Sequence, residues 1–326
     1  MHILVIGAGG MLGGKLVQHL ARAGQLGGIP IDKITRHDVV LPPAPPVSGF
    51  EISTLMGDIS QATEAVQLIA EKPDFIFHLA AVVSGEAEAD FEKGYAINLD
   101  GTRHLLEATR KTGGGYQPKF IFTSSIAVFG APFPESIGDE YFTTPLTSYG
   151  AQKAICELLI SDYSRRGFCD GLSLRMPTVC VRPGKPNKAA SGFFSNIIRE
   201  PLVGLEAILP VPDSVRHWHA SPRAAVAMLV HAAELDLKLL GARRTLTMPG
   251  ISCTVAEQIA ALAHVGGAQR TKLIKRMADE TVMKIVNGWP ERFDARRAIS
   301  LGFKADKDFE AIIRVHIEDE LQGKLL

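Results

Sequence analysis

The sequence predicts an α/β chain, a doubly wound parallel sheet followed by a smaller C-terminal lobe. Three observations predict it: short apolar runs alternate with helical patterns over the first half, a glycine cluster joins the first run to the first helix, and the punctuation changes after Pro177. Residues 3–6 are an apolar run that opens directly into Gly7-Ala8-Gly9-Gly10-Met11-Leu12-Gly13-Gly14. Leu16, Val17, Leu20 and Ala23 then recur at helical spacing, so this stretch reads as buried strand, turn and helix. Further strands are expected at 33–37, 74–80, 120–124 and 172–175, with a third strand before Gly57. Helices are expected from a Ser60 cap through residue 69, over 90–111 and over 149–166. The proline-rich stretch 41–46 can continue neither a helix nor a central strand and reads as an extended surface loop.

From Pro177 onward prolines and glycines punctuate shorter segments, interrupted by helical patterns at 223–240 and 254–264. The expected division is therefore residues 1–176 for the sheet domain and 177–326 mainly for a substrate-binding lobe, some segments of which can return to the sheet.

Composition excludes several function classes. Lys plus Arg number 35 and Asp plus Glu number 35, so the basic excess of a nucleic-acid binder is lacking. Hydrophobic residues at 46% and charged residues at 21% are those of a globular chain. No apolar run approaches the ~18 residues of a membrane span, which gives the expectation of a soluble, cytoplasmic protein. The four cysteines have no CxxC spacing, so neither a disulfide framework nor a zinc site is expected. His2, His19, His104, His217 and His219 have no ligand company either, and no metal is expected.

Gly7, Gly10 and Gly13 have GxxGxxG spacing where the chain turns from strand to helix, the setting of a Rossmann-type dinucleotide site. There the backbone N–H groups of the turn, with Met11 and Leu12 opening the helix, can approach a pyrophosphate at the helix N-terminus. Asp38 ends the second strand, where a carboxylate can accept hydrogen bonds from the adenosine ribose hydroxyls and repel a 2′-phosphate. NAD is the expected cofactor. Asp38 follows Gly13 by 25 residues, more than the usual ~20, and the 27–30 stretch supplies the extra length. Arg36 and His37 stand close enough for a basic side chain to meet a 2′-phosphate instead. Asp32 is a rival carboxylate at the wrong end of the strand.

Tyr149 and Lys153 stand four apart on one helix and project from one face. A lysine so placed lowers the pKa of a phenol, which at ~10 needs that help to exchange a proton near neutral pH.

These pieces together resemble the extended short-chain dehydrogenase/reductase family, also called the NAD-dependent epimerase/dehydratase family. The resemblance spans nearly the whole chain. It rests on the glycine turn, Asp38, Gly57-Asp58-Ile59, His78-Leu79-Ala80-Ala81, Asn98 with Gly101-Thr102, Thr123-Ser124-Ser125, Tyr149 with Lys153, and Arg175-Met176-Pro177-Thr178. It implies that Asp58 and Ile59 flank the adenine, that Leu79, Ala80 and Ala81 line the cofactor cleft, and that Asn98 belongs to the cofactor site. Lys153 would hold the nicotinamide ribose, and Pro177, Thr178 and Val179 would contact the nicotinamide. Tyr149 is then the general base and Ser125 the residue that binds the substrate oxygen.

Within the family, the segment 181–195 is similar to that of the subgroup that oxidises the carbon-2 hydroxyl of a four-carbon sugar acid, D-erythronate, with NAD. That substrate needs a cationic or amide-rich pocket, for which Arg182, Lys185, Asn187, Ser191 and Arg216 are candidates and Asn187 and Arg216 are favoured. The alternative is a nucleotide-sugar epimerase or reductase of the same family. Two departures weigh against it: Phe129 stands where many such epimerases carry tyrosine, and around Arg216 only that arginine of their usual motif is kept. A non-catalytic dinucleotide sensor is a third reading, opposed by the retained tyrosine and lysine. The resemblance also implies a homodimer formed through the helix of Tyr149 and the helix before it, to which Ile155, Leu158, Leu159 and Tyr163 would contribute.

Overall fold

The computed structural model describes residues 1–45, 47–184 and 190–325. In chain order the elements that matter below are β1 (His2–Ile6), α1 (Met11–Ala23), β2 (Lys33–Asp38), β3 (Glu51–Met56), α2 (Ala62–Ala70) and β4 (Phe75–His78). They continue with α3 (Ser84–Ala89), α4 (Phe91–Gly94), a π-helical stretch (Tyr95–Asp100), α5 (Gly101–Thr112), β5 (Lys119–Ser125), α6 (Ser148–Arg165) and β6 (Asp170–Met176). Last come β7 (Thr178–Val179), α7 (Gly192–Leu202), β8 (Arg216–Ala220), α8 (Pro222–Glu234), β9 (Thr245–Thr247), β10 (Ile251–Thr254) and α9 (Val255–Gly266).

The seven-stranded sheet has the order β9-β6-β5-β4-β1-β2-β3. β1 pairs in parallel with both β2 and β4, β2 with β3, and β4 with β5. The chain order therefore reverses on either side of β1, and in open parallel sheets ligands bind outside the carboxyl ends of the strands at such a point. The strands are short apolar runs because both faces are covered: Ile3, Leu4, Val5 and Ile6 of β1, Ile76 and Phe77 of β4, and Phe120, Ile121 and Phe122 of β5 are all fully buried.

Three spans differ from expectation. The helix expected over 90–111 is broken into α4, the π-helical stretch and α5, and the widened turn holds Asn98, whose side chain is bonded to other segments. The Ser60 cap gives way to Gln61, because Asp58 Oδ1 accepts the Ser60 N–H and closes a turn before α2 begins. The helical pattern expected over 223–240 is α8 and a separate 3₁₀ turn (Leu237–Leu240) that Asp236 caps.

Two compact units result. The first comprises Met1–Val128, Thr147–Arg175 and Val226–Leu246, and the second Phe129–Leu146, Met176–Ala225 and Thr247–Leu326. In the second, β7, β8 and β10 form a three-stranded sheet, and a core around Phe193, Phe194, Ile197, Leu262 and Ile313 is buried. Cys156, Cys169, Cys180 and Cys253 are all buried free thiols.

Candidate active site

The turn between β1 and α1 is held by backbone bonds: the Gly7 and Ala8 N–H groups both donate to His37 O, at 2.9 and 3.1 Å, and Gly10 N–H donates to Gly7 O at 3.2 Å. Gly7 has φ +91° and its Cβ would lie 2.5 Å from Ala80 N. A Cβ on Gly13 would lie 2.1 Å from Gly7 O. These two glycines thus let the chain approach itself closely. Gly10 is more open, since its Cβ would meet only Gly7 O, at 3.3 Å. Gly10 is also the N-cap of α1, which has neither a side-chain cap nor an acidic residue in its first turn. Uncapped N–H groups at Met11 and Leu12 and the positive end of the helix dipole fit a pyrophosphate.

Asp38 stands at the carboxyl end of β2. Its Oδ2 accepts the Gly9 N–H at 2.8 Å and its Oδ1 the Val40 N–H at 3.1 Å, so the carboxylate is aimed beside the glycine turn. The rival groups are engaged elsewhere. Arg36 is 5% exposed and donates to Pro43 O and Thr54 Oγ1, at 2.6 and 2.5 Å. His37 is buried against Glu64, at 3.0 Å, and burial pushes its pKa down. Asp32 pairs with the N-terminal ammonium at the far end of the strand.

Further along the carboxyl edge, Asp58 is exposed, with one oxygen on Ser60 N–H, and Ile59 is buried beneath it. Leu79, Ala80 and Ala81 follow β4, half-buried, with Ala80 against Gly7. Asn98 is buried with both ends of its amide in use. Its Oδ1 accepts Val82 N–H at 2.9 Å, and its Nδ2 donates to Val82 O and to Gln152 Oε1, at 3.2 and 2.7 Å. Its side chain therefore fastens the 79–82 segment to α6.

Tyr149 and Lys153 lie on the first two turns of α6, whose N-cap Thr147 accepts the Gly150 N–H at 3.1 Å. Lys153 Nζ stands 5.7 Å from the Tyr149 ring centroid and 4.5 Å from that of Phe122. It donates to Thr123 O at 2.8 Å and is 1% exposed. Burial pushes its pKa down to about 8, against the favourable fields of Cys156 and Glu157, so the ammonium is still mostly charged at neutral pH. Ser125 ends β5 and is half-buried. Its Oγ accepts the Ala127 N–H at 3.1 Å, leaving its O–H as a donor. His78, on β4, is buried on Thr102 Oγ1 at 2.9 Å, and burial pushes it down to about 3, so it is neutral.

In the second unit, Pro177 is buried, and the β7 residue Thr178 bonds His217 Nε2 at 2.7 Å. Val179 O accepts from Arg182 Nε at 2.9 Å, and Arg182 Nη2 donates to Ser191 Oγ at 2.9 Å. Arg216 is half-buried. It donates to Ser252 O at 3.1 Å, stands 3.2 Å from Glu257, and with Trp218, Ser252, Arg292 and Phe293 lines a cavity of about 400 Å³. Phe129 packs against Tyr141 and Phe293. Asn187 and Lys185 lie outside the described residues.

The family model of the NAD dependent epimerase/dehydratase family matches residues 3–236. The chain belongs to that family. It is 45% identical over 323 residues to the D-erythronate dehydrogenase of Cupriavidus necator, covering 98% of each chain. It is 42% identical over 321 residues to the D-erythronate dehydrogenase of Haemophilus influenzae, covering 98% of this chain and 100% of that one. A crystal structure named as a nucleoside-diphosphate-sugar epimerase from Agrobacterium tumefaciens superposes with a TM-score of 0.97 at 59% identity, covering 100% of this chain and 96% of that chain.

Two parts of this epimerase/dehydratase site were missed by sequence reasoning. Gly9 orients Asp38, and a Cβ there would meet the Asp38 carboxylate at 3.1 Å and Val40 Cγ2 at 2.8 Å. Its signal was the extra glycine inside the motif. Glu157 is the other, a carboxylate whose field favours the Lys153 ammonium, and its signal was its place four residues after Lys153 on the same helix.

Proposed function

We propose that the protein is an NAD-dependent dehydrogenase that oxidises the carbon-2 hydroxyl of D-erythronate, or of a closely similar small sugar acid, to the 2-oxo acid. The observation that carries the reaction type is the set of Ser125, Tyr149 and Lys153 at the carboxyl edge of one sheet, with a buried ammonium beside the phenol. The similarity to two D-erythronate dehydrogenases over nearly the full chain supports the substrate class.

NAD, when bound, supplies the acceptor for the hydrogen and electron pair that leave carbon 2. The chain's residues fit it. Met11 and Leu12 offer backbone N–H groups to the pyrophosphate across the small Gly10, Asp38 receives the ribose hydroxyls, Asp58 and Ile59 flank the adenine, and Leu79, Ala80 and Ala81 line the cofactor cleft. Pro177, Thr178 and Val179 are assigned to the nicotinamide. Lys153 stabilises the Tyr149 phenolate, which takes the proton of the carbon-2 hydroxyl, and the Ser125 O–H donates to that same oxygen and holds it.

The name of the Agrobacterium tumefaciens relative favours a second reading, a nucleotide-sugar epimerase. An epimerase returns the hydrogen to its substrate and keeps its cofactor, so release of reduced NAD separates the two. A panel of four- to six-carbon aldonates assayed with NAD at neutral pH is the test, with Tyr149→Phe as the control. D-Erythronate is expected to be oxidised, and Y149F to be slower by on the order of 10² or more with NAD affinity nearly intact. An unreactive panel would favour the epimerase, and undiminished Y149F turnover would remove Tyr149 from the role of base.

We also place the protein in the cytoplasm and as a homodimer. Among the described residues no helix is long and apolar enough to cross a membrane, and Leu158 and Ile155 of α6 are 71% and 37% exposed. Leu158→Glu is expected to shift the protein from dimer to monomer in sedimentation.

A further inference from the structure

Beneath the reacting edge, three polar side chains meet inside the first unit. Ser124 Oγ on β5 donates to Glu157 Oε1 at 2.5 Å. Arg175 on β6 donates through Nε to both Glu157 oxygens, at 3.0 and 3.2 Å, and through Nη2 to Oε2 at 2.7 Å. Ser124, Glu157 and Arg175 are only 3%, 4% and 7% exposed. An ion pair buried this far adds little net stability, because desolvation offsets most of the attraction. Stability alone therefore does not account for it.

Its place in the chain suggests another purpose. α6 grips β5 at two consecutive residues, Lys153 on Thr123 O and Glu157 on Ser124 Oγ, and the next residue is Ser125. Successive strand side chains point to opposite faces, so seating Ser124 on α6 sets the direction of Ser125. Glu157 stands one helical turn beyond Lys153, which stands one turn beyond Tyr149. We propose that Ser124, Glu157 and Arg175 form a buried brace of positioning residues that fixes Ser125 and Lys153 for the reaction. The inference rests on the reading of Tyr149 as base and Lys153 as its partner.

Tyr149, Cys156 and Glu157 face Lys153 from α6, and His78, neutral, faces it from β4, while Arg175 is bonded to Glu157. Among these groups Glu157 holds the negative charge that supports the ammonium. Removing it takes away an attraction that holds the ammonium, which then loses its proton at lower pH.

The experiment measures D-erythronate oxidation with NAD across pH for wild type, Y149F, Glu157→Gln, the apolar double variant E157M/R175M, S124A and S124T. E157Q is expected to lose on the order of tenfold in kcat, with the high-pH limb moved down by about one unit and the KM for NAD changed by less than about twofold. E157M/R175M is expected to melt near wild type and remain slow, which a merely structural pair would not do. S124A is expected to lose a few-fold in kcat and S124T to regain it. E157M/R175M at wild-type kcat and an unmoved pH limb would overturn the brace, and so would S124A at wild-type kcat if neither Glu157 variant folds. Y149F at wild-type rate would instead overturn the base reading on which the brace depends.

Discussion

The carboxyl edge of the seven-stranded sheet and the second unit hold their polar groups in different ways. At the edge, Asp38, Ser125 and Lys153 are each held by one or two bonds to nearby backbone, and the last two keep chemical capacity to spare: Ser125 retains its O–H, and Lys153 donates to Thr123 O and remains charged. In the second unit the polar side chains are largely bound to one another. Thr178 is on His217, Arg182 on Ser191 and Arg216 on Glu257. His217 stacks on Phe194 at a 3° interplanar angle, and burial pushes it down to about 4. The contrast teaches that burial is compatible with reactivity where the buried group has been left short of partners.

The largest effect expected from this contrast is at Lys153. Lys153→Met should lower kcat by on the order of 10² or more and yet not lower the melting temperature at neutral pH. The sign follows from burial. The pKa of Lys153 falls from 10.5 when unfolded to about 8 when folded, so the folded state binds fewer protons between those values. Its charge costs stability at and below pH 8, and the cost fades as the pH rises towards 10.5. The stability advantage of K153M should therefore be greatest below pH 8 and close above it. Melting curves across pH read this directly, and a variant less stable at every pH would break the contrast.

The next effect is at the turn. Gly7→Ala places a Cβ against Ala80 N at a φ of +91°, and should cost about 2 kcal/mol or more in denaturant unfolding. A near-neutral change would mean that the turn relaxes. A smaller effect is expected at Asp38. Asp38→Asn should reduce the preference for NAD over NADP by on the order of tenfold, measured as the ratio of kcat/KM values, and an unchanged ratio would place the discrimination on another residue. The smallest lies in the second unit, where Arg216→Gln breaks a pair whose Glu257 side chain is 55% exposed. It should alter stability by less than about 1 kcal/mol, and a larger loss would show that such pairs in this unit are structural supports.

The same contrast explains what could be read from the sequence. The parallel sheet, the glycine turn, Asp38 and the pairing of Tyr149 with Lys153 depend on short-range spacing, which a strand period of two and a helix period near four turn directly into geometry. The reasons behind them were less legible. Gly7 and Gly13 are set by contact with Ala80 and with the turn itself, and Asn98 by contact with Val82 and Gln152. The break of the helix into α4, a π-helical stretch and α5 left no periodicity to detect, because a single widened turn barely changes the apolar spacing. The second unit was the least legible. His217 lies far in sequence from Thr178 and from Pro290, whose carbonyl it meets at 3.1 Å, so tertiary contact alone decides what each residue does.

Whether this dehydrogenase uses NAD as a released co-substrate is decided by incubating it with D-erythronate and a molar excess of NAD and following reduced NAD by absorbance. Reduced NAD is expected to accumulate well beyond one equivalent per protein chain. No accumulation, with oxidised cofactor retained on the protein, would contradict this.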